Sequence, residues 1–322
     1  MNVNAARDKI DEIDRKVAEL LATRAPLSRG IQEQKALDGR PPYDGDRERA
    51  VLAASAVPEV AAEVLRHSRA EAIRSGTALV PKNRVLDADV FSVVAGPCSA
   101  ESLEQLDAVG RRLVALGVRY MRAGAWKPRT HRAGFQGHGA LAVRWMREVC
   151  DRYGLQLWTE VRDVANVVEL RGVADVVWVG ARNGQNFELL RLVGEVFPRV
   201  VLKRGAGMTV EEWVAASEYI NTGGATVALC ERGIRTFDRS FRNTLDLAGA
   251  VWAKRLSGLE VIADVSHSTG LPALAAPMAA AAKAAGLDGV MAEAHPSPRD
   301  SVTDADQALS LDELDALVAA VR

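Results

Sequence analysis

Cysteine is scarce. Three residues, at 98, 150 and 230, stand far apart in a chain of 322. That spacing excludes a disulfide scaffold and suits reduced thiols in the cytoplasm. Charge of one sign is missing too: 41 Lys and Arg face 42 Asp and Glu, a net −1. Nothing argues for nucleic acid or an anionic membrane as partner. No apolar run approaches a membrane span. The start, MNVNAARDKIDE, lacks the apolar centre of a signal peptide. What is present is length for a large barrel plus an extra module. The 26 glycines suit an α/β protein with many tight turns.

From Val90 onward, apolar strand candidates recur at 91–96, 118–124, 155–161, 175–181, 199–204, 225–231, 259–264 and 288–293. Ala- and Leu-rich helical segments separate most of them. This alternation predicts a (β/α)₈ barrel, with a doubly wound open sheet as the alternative. The candidate strands end in Cys98, Arg122, Glu160, Arg182, Lys203, Glu231-Arg232, Asp264 with His267, and Glu293 with His295. In a barrel those ends converge on one face, where active sites sit.

The polar ends sort into two sets. Cys98, His267 and Glu293, with Asp304 just beyond, offer one sulfur, one nitrogen and two oxygens. That mixture suits Mn, Fe, Co or Zn better than Mg or Ca alone. Cys150 and Cys230 read as packing. The second set is cationic: Arg122, Lys127, Arg129, Arg182, Lys203 and Arg232. The stretch Arg122-Ala-Gly-Ala-Trp-Lys-Pro-Arg-Thr130 holds three of them, stiffened by Pro128. Six convergent cations beside a metal predict a metal-assisted condensation or lyase reaction on phosphorylated small molecules.

Residues 1–80 read differently. Ala5–Leu37 has a helical apolar stripe, Asp38-Gly39 breaks it, and further helices are predicted over 46–54 and 58–75. A helix so long needs a partner helix, most simply from a second copy of the chain. Arg24 and Lys35 project within about 20° of each other on that stripe. Cations there need an anion, either a ligand or a neighbouring Asp or Glu.

Two resemblances follow. The order Arg7, Arg24, Lys35, Asp44, Arg47, Glu48 resembles the all-helical chorismate mutases. That implies a site for chorismate or prephenate, with Arg7 reaching into the partner subunit. Pro26 inside the helix departs from the family and is expected to kink it. The usual helix-3 glutamine has no clear counterpart; Glu71, Arg74 and Ser75 are the alternatives. The module is thus either a mutase or a regulatory and oligomerisation domain.

The motifs GPCSAES, RAGAWKPRT, GARNGQNFELL, LKRGAGMT, CERGIRTF, DVSHSTG and GVMAEAHPSP…VTDADQAL resemble the 3-deoxy-D-arabino-heptulosonate 7-phosphate (DAHP) synthases, in particular their type I-beta branch. The resemblance implies a barrel over 81–322 that condenses phosphoenolpyruvate with D-erythrose 4-phosphate, the first step of the shikimate pathway. A related aldolase using another aldose phosphate is the alternative. By resemblance, the metal, manganese foremost, falls to Cys98, His267, Glu293 and Asp304. Phosphoenolpyruvate falls to Arg122, Lys127, Arg182, Lys203, Arg232 and the backbone of Gly180-Ala181. Erythrose 4-phosphate falls to Arg129 and Thr130. Asp264 is expected on the sugar hydroxyls or on Lys127, and Glu160 near the attacking water. Lys127 is the expected proton donor, its pKa lowered by neighbouring cations. His131-Arg132 and Leu271 depart from the family without touching these groups. A cytoplasmic homotetramer, at least a dimer, is expected.

Overall fold

The computed structural model describes residues 3–38, 40, 44–75, 84–88, 90–127 and 134–322, the side chains of 36 and 69–75 apart. The chain divides into two compact units, Met1–Val80 with Arg255–Gly258 and Pro81–Lys254 with Leu259–Arg322.

The first unit is helical. Its elements are α1 (Val3–Leu37), α2 (Gly45–Ala54) and α3 (Pro58–Ser75). Asp44 caps α2, its Oδ1 accepting the N–H of Arg47 at 3.1 Å, as a short polar residue before a helix does. α1 runs on through Pro26 as one element, although proline offers no N–H to the preceding turn. Ile10, Ile13, Val17, Leu20, Leu27 and Ile31 along α1 are all exposed. Each large aliphatic side chain left in water forgoes about 1.5–3 kcal/mol of burial.

The second unit is a closed parallel barrel in sequence order. Its strands are β1 (Ser92–Gly96), β2 (Tyr120–Arg122), β3 (Gln156–Val161), β4 (Val176–Val179), β5 (Arg199–Lys203), β6 (Thr226–Glu231), β7 (Glu260–Asp264) and β8 (Gly289–Glu293). All eight fall within the predicted strand segments. The helices are α4 (Leu103–Ala115), α5 (Ala140–Tyr153), α6 (Val164–Leu170), α7 (Phe187–Val196), α8 (Val210–Asn221), α9 (Leu247–Ser257), α10 (Val265–Thr269), α11 (Pro272–Ala284) and α12 (Leu311–Ala320). The barrel closes where β8 pairs with β1, Gly96 against Glu293. The strands are buried on both sides, as a sheet wrapped in helices requires. Val94, Tyr120, Trp158, Trp178, Ile262 and Met291 share one buried cluster with Val85 and Leu86. Buried Glu260 holds that last pair: it accepts the backbone N–H groups of Val85 and Leu86 and pairs with Arg84 Nε at 3.1 Å.

Candidate active site

The C-terminal strand ends meet as the sequence predicts. Gly96 lets β1 approach β2 closely, since a Cβ there would stand 2.1 Å from the Arg122 carbonyl oxygen. Two residues on, Cys98 enters the site. Donor atoms of Cys98, His267, Glu293 and Asp304 lie within 4.8 Å of one another. Cys98 Sγ is 3.4 Å from Asp304 Oδ2, and His267 Nε2 is 3.3 Å from Glu293 Oε1.

The electrostatics suit a cation among these donors. Glu293 is fully buried yet ionised: burial opposes its charge, but His267, Arg122 and Lys127 hold its pKa far below the carboxylate range. Burial pushes the Cys98 thiol up to about 12, and Glu293 adds to the rise. A thiol, an imidazole and two carboxylates thus share one small volume. A divalent ion would take the place of the thiol proton. Cys150 and Cys230 are buried, each pushed up to about 12 chiefly by burial, and carry no such company.

Asp264 organises the neighbouring groups. It is fully buried, and His267 and Lys203 hold its pKa well down against burial. Its Oδ1 accepts the His267 N–H at 2.9 Å, capping α10. Its Oδ2 meets His267 Nδ1 at 2.8 Å and Lys203 Nζ at 2.5 Å. An ionised acceptor keeps the proton on Nδ1 and leaves the Nε2 lone pair free. Sequence reasoning put Asp264 on sugar hydroxyls or on Lys127. In the structure its oxygens meet Lys203, at the end of β5, and His267, on α10.

Lys127 is also buried, with Nζ 2.9 Å from Cys98 Sγ and 3.0 Å from Cys98 O. Burial lowers its pKa, but Cys98, Glu293 and Glu160 outweigh that and the net shift is upward. The expected lowering by neighbouring cations is therefore reversed. Arg122 is 1% exposed and bonds Glu293 at 3.0 Å.

Above these groups opens a cavity of about 940 Å³. It is lined by Arg122, Lys127, Glu160, Gly180, Ala181, Arg182, Lys203, Arg232, His267 and Asp304 from the predicted set. Gly180 makes room for Glu160, whose Oε1 would lie 2.1 Å from a Cβ at that position. Burial lowers the Arg232 pKa more than Asp264 raises it. An anion would restore that balance. Arg129 and Thr130 lie outside the described residues.

A second cavity, of about 400 Å³, lies within the helical unit. Arg24, Lys35, Asp44, Arg47 and Glu48 line it together, joined by Gln32, Arg40 and Ser68; Arg7 does not line it. Arg24 Nη1 donates to Ser68 Oγ at 2.7 Å. Lys35 Nζ lies 3.9 Å from Asp44 Oδ2, and burial lowers its pKa against that carboxylate's pull. Gln32 Oε1 is buried there without a hydrogen-bond partner.

Comparison with known proteins separates the two units. The model of the DAHP synthetase I family matches residues 83–321. The chain belongs to the DAHP synthetase I family. Residues 6–78 match the chorismate mutase type II model. The phospho-2-dehydro-3-deoxyheptonate aldolase of Thermotoga maritima is 41% identical over 71% of this chain and 68% of its own length. A crystal structure of that organism's DAHP synthase superposes with a TM-score of 0.71 at 40% identity, covering 74% of this chain and 72% of the other. The 2-dehydro-3-deoxyphosphooctonate aldolase of Stenotrophomonas maltophilia is more distant, 27% identical over 72% of this chain and 90% of its own.

Within this DAHP synthetase I barrel, several lining groups escaped sequence reasoning. Arg162, Asn183, Arg235, Arg242 and Asn243 all face the cavity. The cationic run RTFDRSFRN after β6 was the available signal for three of them. Trp178 also escaped. Its ring lies 5.0 Å from the Arg122 guanidinium and 5.2 Å from Lys203 Nζ, a shared aromatic platform for both cations. Only its inward register on β4 marks it in the sequence.

Proposed function

We propose that the barrel condenses phosphoenolpyruvate with D-erythrose 4-phosphate and water, giving DAHP and inorganic phosphate. One observation carries the reading: a sulfur, a nitrogen and two carboxylates with metal-ligand spacing stand at the mouth of a cavity lined by cations. Cys98, His267, Glu293 and Asp304 would hold a divalent ion, manganese foremost. When bound, such an ion supplies Lewis-acid polarisation of an aldehyde oxygen. Arg122, Arg182, Lys203 and Arg232 would hold the carboxylate and phosphate of phosphoenolpyruvate, with the backbone of Gly180-Ala181 beside them. Its C3 attacks the aldehyde carbon. Protonated Lys127, with its raised pKa, is the donor to the new alkoxide. Water, close to Glu160, adds at C2, and phosphate leaves by C–O cleavage. Arg129 and Thr130 remain the choice for the erythrose phosphate. The test is phosphate release with erythrose 4-phosphate against arabinose 5-phosphate. Faster turnover with the five-carbon sugar would reassign the barrel to the octulosonate reaction.

The helical unit carries a second reading: a pocket for chorismate or prephenate. Its support is the gathering of Arg24, Lys35, Arg47 and Glu48 in one cavity. The open apolar stripe of α1 and the absence of Arg7 from its own cavity favour a partner copy that covers the stripe and contributes Arg7. Whether this pocket turns over chorismate or regulates the barrel is decided by following chorismate loss. Robust turnover abolished by Arg24→Ala means a bifunctional enzyme; no turnover with prephenate inhibition of the barrel means a sensor. The three unpaired cysteines favour a reducing, cytoplasmic setting.

A further inference from the structure

Three of the four proposed metal ligands sit on strand ends or immediately after them. Asp304 does not. It lies on a loop beyond β8, its side chain 26% exposed where Glu293 is 0%. It is also the one non-glycine residue with positive φ among the described residues, at φ 48°. A side chain on such a loop, in a backbone region L-residues rarely adopt, needs to be held from outside.

Arg242 Nη1 stands 3.6 Å from Asp304 Oδ2, and the segment just before Asp304 is tied down by a carboxylate outside the substrate cavity. Glu101 Oε1 accepts hydrogen bonds from Ser301 Oγ at 2.9 Å and from the Val302 N–H at 3.1 Å. Its Oε2 lies 3.4 Å from His295 Nε2. Ser297 N–H donates to His295 Nδ1 at 3.0 Å, so Nε2 carries the proton and faces Glu101. Beside this, Ser99 Oγ and Thr303 Oγ1 are 2.6 Å apart. Glu101 stands three residues after Cys98, His295 two after Glu293, and Ser301-Val302 just before Asp304. One carboxylate therefore ties together the segments that bear three of the four ligands.

We propose that Glu101 is a positioning residue for the metal centre, holding Asp304 in register with Cys98 and Glu293. The proposal rests on the metal reading above. Outer hydrogen-bond partners of metal ligands contribute on the order of 10–100-fold in metal affinity. The experiment is titration of the metal-free full-length protein with Co²⁺, following thiolate-to-cobalt absorption and the ligand-field bands. Wild type is expected to bind with a thiolate band. Glu101→Ala is expected to bind about 10–100-fold more weakly, with altered ligand-field bands and the thiolate band still reached at saturation. Glu101→Gln keeps a carbonyl oxygen for Ser301 and Val302 and is expected to recover most of the affinity. Ser301→Ala, which removes one arm and no charge, is expected to lose about fivefold. It carries the test if Glu101→Ala does not fold. Wild-type affinity in both Glu101→Ala and Ser301→Ala overturns the proposal while the metal reading stands. A wild type that binds no cobalt overturns both.

Discussion

The two cavities are built from the same residue types and differ in how far one chain completes them. In the barrel, several groups beneath the opening are already paired. Arg122 is on Glu293, and Lys203 and His267 are on Asp264. Strand ends fix these pairs, so they are preorganised in a dry setting where electrostatics are strong. In the helical unit the charges line a smaller cavity, Arg40 is more than half exposed, and the apolar stripe of α1 is open. The same chemistry is thus finished by the topology of a barrel and left unfinished by three helices.

The sharpest way to break this contrast is Glu293→Ala. It removes a proposed ligand and leaves Arg122 buried without its carboxylate, so we expect condensation to vanish and stability to fall by about 3–5 kcal/mol. Denaturant unfolding alongside phosphate release checks both. Lys127→Met should lower kcat by about a hundred- to ten-thousandfold while the protein stays folded. A rate close to wild type would remove Lys127 from proton donation.

In the helical cavity, Arg24→Ala should weaken chorismate or prephenate binding by about 10–100-fold, as losing one charge-assisted hydrogen bond does. Calorimetric titration measures it, and an unchanged Kd would move the anion site elsewhere. Trp178→Leu should cost about two- to thirtyfold in phosphoenolpyruvate affinity, from two lost cation–π contacts.

The pH dependence of the metal-free protein sharpens the comparison least. His267 is held below its ordinary value, so from about pH 6.5 downward the unfolded chain takes the proton first and stability falls. Asp264 and Glu293 are held low, and their contribution drains away below about pH 4. The three buried thiols, raised to about 12, withdraw stability on the alkaline side from about pH 8.5 upward. Melting temperature across pH should therefore peak between those limits. A flat profile would mean these groups are not buried in solution.

Much of this was legible beforehand. Strand ends are readable because a buried parallel strand is an apolar run that stops at a polar residue. Cys98, Arg122, Glu160, Lys203 and Glu293 all stood at such stops. The sign of the Lys127 shift was not legible. Neighbours in sequence are cations, whereas the groups that raise it, Cys98, Glu293 and Glu160, stand at or just beyond the ends of β1, β8 and β3. The pairing of Asp264 with Lys203 was not legible for the same reason, since the two lie 61 residues apart. Glu101 went unnoticed because its role lies in bonds to residues 295–302, a closure that only the folded barrel brings about. In the helical unit, helix ends and the cavity residues on α1 and α2 were readable. Pro26 stands inside α1, which runs on past it as one element.

The barrel floor sets a rule for dissecting this protein. Glu260 is a buried carboxylate whose partners, Arg84 and the backbone of Val85 and Leu86, belong to the segment leading into the first strand. A deletion meant to free the barrel from the helical unit has to begin upstream of Arg84. Starting even a few residues later would strand that carboxylate at the closed end of the barrel, a penalty of several kcal/mol. The resulting loss of fold would then be mistaken for an effect of removing the helical unit.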